Sequence, residues 1–231
     1  MTQSMSTFVL RPTADHLTLL LRGDQTGMLN AHGEMPLHAM GAWCKTLVDE
    51  RDTVVDVGAH VGSFALVMAS HARTVHAIEA SLPTYHQLCA NALINHAPHL
   101  HVHHVALSEP ANRGKERTLH VRSETGHATL ESLAYTPSLR QETVRLQCLD
   151  DLELDLAHGS GKIGLLRVSV EGHEVQVLSG AMQLLQTHQP TILFECKQEH
   201  CKPRLFRFIN DLGYQMVCVK GYPTWVLATP P

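Results

Sequence analysis

The residues with the clearest chemical capacity are Asp56, Gly58, His60, Gly62 and, twenty-one positions past Gly58, Glu79. They fall in two segments, Val54-Val55-Asp56-Val57-Gly58-Ala59-His60-Val61-Gly62 and Val75-His76-Ala77-Ile78-Glu79. The first is an apolar β-branched run entering a glycine turn, and the second is a similar run closed by an acid. A strand that feeds a glycine turn and then a helix presents backbone N–H groups and a helix N-terminus to a nucleotide. A carboxylate at the end of the next strand can accept hydrogen bonds from both ribose hydroxyls of an adenosine. Strand, turn, helix, strand and acid follow in the order such a site requires, so these five residues are the candidate cofactor contacts. The competing explanation is a plain strand–turn–helix junction with Glu79 as a solvated strand end.

The turn itself narrows the nucleotide. A dinucleotide fingerprint needs a second glycine where the pyrophosphate approaches the backbone. This chain has His60 there, whose β-carbon and ring would crowd a pyrophosphate, and it has no Gly-Lys-Ser or Gly-Lys-Thr phosphate loop. An adenosine cofactor without phosphates fits better, and S-adenosylmethionine is the common one.

The elements that must hold these residues read as alternating strands and helices. Strands are predicted at Thr53–Val57, Thr74–Ile78, His101–Leu107, Gly164–Val168 and Thr191–Cys196, and helices at Gly62–His71, Leu82–Asn95, His173–Thr187 and Pro203–Leu212. The strands Tyr214–Val219 and Thr224–Ala228, split by Lys220-Gly221-Tyr222-Pro223, read as a closing antiparallel hairpin. This alternation predicts a doubly wound, mostly parallel α/β sheet that binds ligands at the carboxyl ends of its strands. Residues 1–50 read as an N-terminal hairpin and helix with Gly23-Asp24 as a turn. Residues 108–163 interrupt the alternation with added strands at Thr118–Arg122 and Thr143–Leu149, and are expected to form a substrate cap. The whole is expected to be one domain.

Several blocks together resemble the FkbM-type methyltransferase family. They are Val55 to Gly62, Ala77-Ile78-Glu79-Ala80, and Val170-Glu171-Gly172-His173-Glu174 followed by Val177-Leu178-Ser179-Gly180-Ala181. Supporting pieces are Asn91 to Asn95, Val105-Ala106-Leu107-Ser108, Leu149-Asp150-Asp151-Leu152 and Pro190 to Glu195, so the likeness covers about residues 50 to 197. The resemblance implies a class I (Rossmann-like) methyltransferase fold, an S-adenosylmethionine site at Asp56, Gly58 and Glu79, and an oxygen acceptor. One departure concerns the acceptor side. The family pattern Lys-Ile-Asp-Val-Glu-Gly is here Arg167-Val168-Ser169-Val170-Glu171-Gly172, which keeps the cation and loses a carboxylate.

Ser169, Glu171 and His173 follow the fourth parallel strand and are the candidate catalytic residues, placed to face the space beyond the sulfonium. Deprotonating an alcohol requires a base within about 3 Å with a pKa near the working pH. An imidazole meets the second condition without help, whereas Glu171 suits orienting the acceptor. The alternative for Glu171 is an acid stabilising the following helix N-terminus.

Composition bounds the rest. The chain has 231 residues, 44% hydrophobic and 17% charged, enough to bury about 70% of its unfolded surface with no disulfide or metal staple. Its net charge is −4 with no basic stripe, which argues against nucleic-acid binding. No apolar run reaches the ~20 residues of a membrane span and no secretory leader is apparent, so a soluble, cytoplasmic protein is expected. The six cysteines are read as reduced thiols. Cys196, His200 and Cys201 lack the four-ligand set of a zinc site, and His101 and His103 read as one wet face of an edge strand; no metal is expected. The function reading is an S-adenosylmethionine-dependent O-methyltransferase acting on a small-molecule or glycoside-like hydroxyl. The alternatives are a non-catalytic binding module on the same fold and, disfavoured by His60, a nicotinamide oxidoreductase.

Overall fold

A computed structural model describes residues 8–12, 17–22, 36–121, 128–130, 140–154, 162–197 and 202–231. Two strands, β1 (Phe8–Pro12) and β2 (Thr18–Arg22), pair antiparallel and lead to helix α1 (Pro36–Cys44). Pro12 pairs with Thr18, so this hairpin closes between them rather than at Gly23-Asp24, which lies outside the described residues.

The core sheet then runs through β3 (Thr53–Val57), α2 (Ser63–Ala69), β4 (Thr74–Glu79), α3 (Leu82–Ile94) and β5 (Leu100–His104). Four short strands follow: β6 (Ala106–Leu107), β7 (Glu116–Val121), β8 (Ala128–Thr129) and β9 (Arg140–Gln147). The chain returns with β10 (Ile163–Val168), α4 (Glu174–Ser179), α5 (Met182–His188), β11 (Thr191–Glu195), α6 (Lys202–Asp211), β12 (Gln215–Cys218) and β13 (Trp225–Thr229). The seven-stranded sheet has the order β12-β13-β11-β10-β3-β4-β5. β3, β4, β5, β10 and β11 pair parallel, and β13 enters antiparallel to both β11 and β12.

Why these strands form is plain from burial. Every residue of β3, β4 and β10 is buried, as expected of parallel strands covered on both faces. Val54, Val75 and Leu165 face the α2 side with Phe64 and Leu66, whereas Val55, Val57 and Leu166 pack with Val177 and Leu178 of α4. Among the described residues no helix is long and apolar enough to cross a membrane.

Two expectations need correction. The apolar run His101–Leu107 is not one strand: it breaks at Val105, and β6 leaves the main sheet to pair with β9 in a four-stranded sheet of order β6-β9-β7-β8. The stretch His173–Thr187 is not one helix either. A β-carbon on Gly180 would lie 2.1 Å from the Ser108 carbonyl oxygen, so the chain turns there. Asp150 then accepts the N–H groups of Gln183 and Leu184 at 2.9 Å each, giving α5 a cap of its own.

The N-terminal hairpin is held by amide side chains of α3 that imitate a strand edge. Asn95 accepts the Thr18 N–H and donates to the Thr18 carbonyl, both at 2.7 Å. Asn91 accepts the Leu20 N–H at 2.6 Å, and Gln87 donates to the Leu20 carbonyl at 2.7 Å. Asn91, fully buried, also donates to the carbonyl of Val61 in the glycine turn at 2.8 Å. Asn91→Ala would leave these buried backbone groups unpaired at about 1–3 kcal/mol each. The expected loss is about 2–4 kcal/mol, read as a fall in Tm of several degrees. A change under about 1 °C would show that the ladder carries no stability.

Candidate active site

The carboxyl ends of β4, β3, β10 and β11 open on one cavity of about 880 Å³, part of it continuous with solvent. Its floor includes Gly58, His60, Glu79, Ser169, Glu171 and His173, six of the eight residues singled out by sequence. Leu119, Ala128, Thr129 and Leu130 of the small sheet line it as well, so the insertion expected to be a cap does border the site.

Asp56 and Gly62 do not line the cavity. Asp56 is wholly buried and pairs with Arg167, its register partner on β10. Arg167 also donates to the Gly58 carbonyl at 3.3 Å and lies between the rings of Phe64 and Trp225, 5.2 and 5.0 Å from their centroids. The pair therefore fixes the strand end under the glycine turn. Gly62 has a φ of +89°, and a β-carbon there would lie 2.3 Å from Leu88 Cδ1, so this glycine lets α2 approach α3. Both residues position the turn.

The turn is stitched to β4. The N–H groups of Gly58 and Ala59 both donate to the Ile78 carbonyl, at 2.9 and 3.0 Å. His60, at a φ of +54°, donates its backbone N–H to Glu79 Oε2 at 2.9 Å, and the Ser81 N–H donates to Glu79 Oε1 at 2.9 Å. Each oxygen keeps a lone pair for a further donor. Burial pushes the Glu79 carboxyl up to about 7, against the pull of those two N–H groups. The small sheet reaches the same corner: Glu142 of β9 accepts both the Ser81 hydroxyl and the Leu82 N–H at 2.9 Å.

On the other side of Gly58 the residues of the departed family motif meet partners that the sequence reading did not foresee. Ser169 Oγ donates to Glu195 Oε2 at 2.8 Å. Lys197 Nζ lies 2.8 Å from Glu171 Oε1 and 3.3 Å from Glu195 Oε2. The two carboxylates hold the ammonium and raise its pKa above the ordinary lysine value, against the effect of burial. Glu171 has a φ of +55°, a conformation costly for a residue with a β-carbon, and Thr129 Oγ1 holds its carbonyl at 2.8 Å. Glu174, the first residue of α4, accepts the Val170 and Gly172 N–H groups at 3.3 and 3.1 Å and holds the loop that carries Glu171. His173 is buried, with Nε2 3.0 Å from Ser108 Oγ. Glu195 was legible in principle: it closes a buried strand as Glu79 does.

The sequence profile of the methyltransferase FkbM domain matches residues 56–216. The chain belongs to the FkbM methyltransferase family. Among solved structures it is similar to methyltransferase FkbM from Methylobacillus flagellatus KT, with 16% identity and a TM-score of 0.56, over 84% of this chain and 48% of that one. It is similar in fold to the tRNA (uracil-54, C5)-methyltransferase of Pyrococcus abyssi, in complex with S-adenosyl-L-homocysteine. There the values are 12% identity and a TM-score of 0.54, over 96% of this chain and 43% of that one. The TYW2 protein of M. jannaschii in complex with AdoMet gives 16% and 0.51, over 99% and 86%. The chain thus spans about half or less of the first two. No curated protein matches its sequence. The chain has the class I methyltransferase fold, and S-adenosylmethionine is the cofactor that methyltransferases of this class use. The cavity fits that group: it offers, beside the glycine turn, an acid with both oxygens oriented and a lone pair left on each.

Proposed function

We propose that this methyltransferase transfers its methyl group to a hydroxyl oxygen of a small molecule or glycoside. The observation that carries the reading is Glu79, closing β4 inside the cavity with each carboxylate oxygen oriented by a backbone N–H. Glu79 would hold the ribose hydroxyls, with Gly58 and His60 lining the path beyond. S-adenosylmethionine, when bound, supplies a methyl group made electrophilic by the sulfonium. The chain's own residues then position the acceptor, exclude water and accept its proton. Glu171, fixed by Lys197 and by Thr129 of the cap, is placed to orient the acceptor hydroxyl, and His173 to take the proton. Two carboxylates against one ammonium at this end disfavour a phosphate-bearing acceptor, and the net charge of −4 without a basic stripe agrees. The likeness to tRNA enzymes is one of fold.

Release of S-adenosylhomocysteine across a panel of hydroxylated acceptors tests the reading. Turnover of RNA or protein in place of every small acceptor would sink it. Ser169, standing where the family carries Asp, favours one other reading, a binding module. Tight cofactor binding with no turnover on any acceptor would support that reading instead.

The cofactor half is tested through Glu79. Glu79→Ala removes charge-assisted hydrogen bonds worth roughly 1.5–3 kcal/mol each, so affinity for S-adenosylmethionine should fall at least about tenfold. The pH dependence follows from the sign of the shift. With a folded pKa of about 7 against an ordinary 4.5, the fold favours the protonated acid. Its contribution to stability is present below 4.5 and lost as pH rises through 7. Ribose hydroxyls donate to the ionised form, so cofactor affinity should rise about tenfold from pH 6 to pH 8. In Glu79→Gln that rise should vanish. Calorimetric titrations at the two pH values check both; an equal slope in the variant would remove Glu79 from the site.

A further inference from the structure

The four strand ends that floor the cavity carry Glu79, Gly58, Ser169 and Glu195, on β4, β3, β10 and β11 in spatial order. Neighbouring strands lie about 4.8 Å apart, so the two acids face the same cavity across roughly 14 Å of sheet. Ser169 links them. Its carbonyl oxygen fills the space beside Gly58, where a β-carbon would lie 2.1 Å away, and its hydroxyl holds Glu195 Oε2 at 2.8 Å. Thr224 Oγ1 adds a contact to Glu195 Oε1 at 3.4 Å. Glu195 is thereby fixed on the wall next to the position from which the family carboxylate has been lost. Of the two acids that share Lys197, Glu171 takes the shorter contact, 2.8 Å against 3.3 Å. Three charged groups in that row sum to one net negative charge.

We propose that Glu195, at the end of β11, is the carboxylate facing the transferable methyl group. This inference rests on the reading of Glu79 as the ribose acid. With the ribose there, the cofactor's sulfur end runs past Gly58 toward Ser169 and Glu195, where a fixed negative charge complements a sulfonium. As the methyl passes, positive charge moves from sulfur to the acceptor oxygen. A carboxylate on the acceptor side stays close to that charge throughout, and Ser169 and Lys197 keep it from swinging away. The Ser169 departure then leaves Glu195 as the acid beside the methyl group.

The test needs no acceptor. Sinefungin carries an amine-bearing carbon where S-adenosylmethionine carries the methylated sulfur, so its protonated amine probes the charge seen by the methyl group, whereas S-adenosylhomocysteine has neither. Calorimetric Kd values for both ligands should show sinefungin bound more tightly by the parent protein. Glu195→Gln should reduce the ratio of the two affinities about tenfold and leave S-adenosylhomocysteine within about twofold. Adding Ser169→Asp to Glu195→Gln should restore the ratio. If Glu195→Gln weakens both ligands alike, or leaves the ratio unchanged, the assignment is overturned. If neither ligand binds the parent, the cofactor reading fails, and this proposal with it. Loss of both ligands only in Glu79→Ala, with the Glu195→Gln ratio shifted as expected, supports both.

Discussion

Gly58→Val is expected to abolish S-adenosylmethionine binding and to lower thermal stability at the same time. Gly58 has a φ of +79°, and a β-branched residue in that conformation costs about 1–2 kcal/mol. The larger effect is steric. A β-carbon would lie 2.1 Å from the Ser169 carbonyl oxygen and 2.9 Å from its carbonyl carbon, both backbone atoms at the end of β10. Overpacking of this kind costs about 1–3 kcal/mol more. To relieve it, the turn must lift from β4, breaking the Gly58 and Ala59 bonds to Ile78, or the Ser169 loop must retreat and carry Glu171 with it. Gly58 was singled out by sequence as a cofactor contact; in the structure the neighbouring strand end fills the space a side chain would need. Calorimetric titration and thermal unfolding of Gly58→Ala and Gly58→Val check the chain of consequences. Native affinity in Gly58→Val would show that the turn has no part in holding a nucleotide.

How much of this was legible beforehand follows from what kind of contact each residue makes. Glu79 and Gly58 declare themselves because their signals are local: a buried β-branched run ending in an acid, and another ending in glycine. The main sheet is legible for the same reason, since β3, β4 and β10 are mostly apolar runs, wholly buried, and each is followed by a helix. The partners that complete the site are not local. Arg167 meets Asp56 from 111 residues away, and Ser169 meets Glu195 from 26 away, through strand neighbours that only the sheet order defines. Gly62, singled out as a cofactor contact, lies off the cavity lining, and its sequence signal, glycine in a turn before a helix, does not distinguish a ligand approach from a helix approach. Leu88 decides between them, and it stands on another element. The break of the His173–Thr187 stretch is of the same kind: Gly180 yields to a carbonyl of Ser108 that no periodicity within the helix records.

Glu171→Gln is expected to lower turnover more than a hundredfold with cofactor affinity within about twofold of the parent. Each factor of ten in rate corresponds to 1.36 kcal/mol, so a hundredfold requires about 2.7 kcal/mol. A charge-assisted hydrogen bond from the acceptor hydroxyl accounts for roughly 1.5–3 kcal/mol of that. The variant also loses the ion pair to Lys197, at 2.8 Å, that keeps the side chain at the cavity wall. The misplacement that follows slows a positioned reaction further. His173→Ala should cost turnover by a similar factor for another reason. Its Nε2 is 3.0 Å from the buried Ser108 Oγ, and the imidazole lines the cavity, where it can receive a proton from the acceptor. The two variants separate in chemical rescue: added imidazole should restore part of the turnover of His173→Ala and none of that of Glu171→Gln. If His173→Ala instead weakens S-adenosylmethionine binding and leaves the turnover of the bound state intact, the imidazole belongs to the cofactor's wall. Proton removal would then fall to the carboxylates around Lys197.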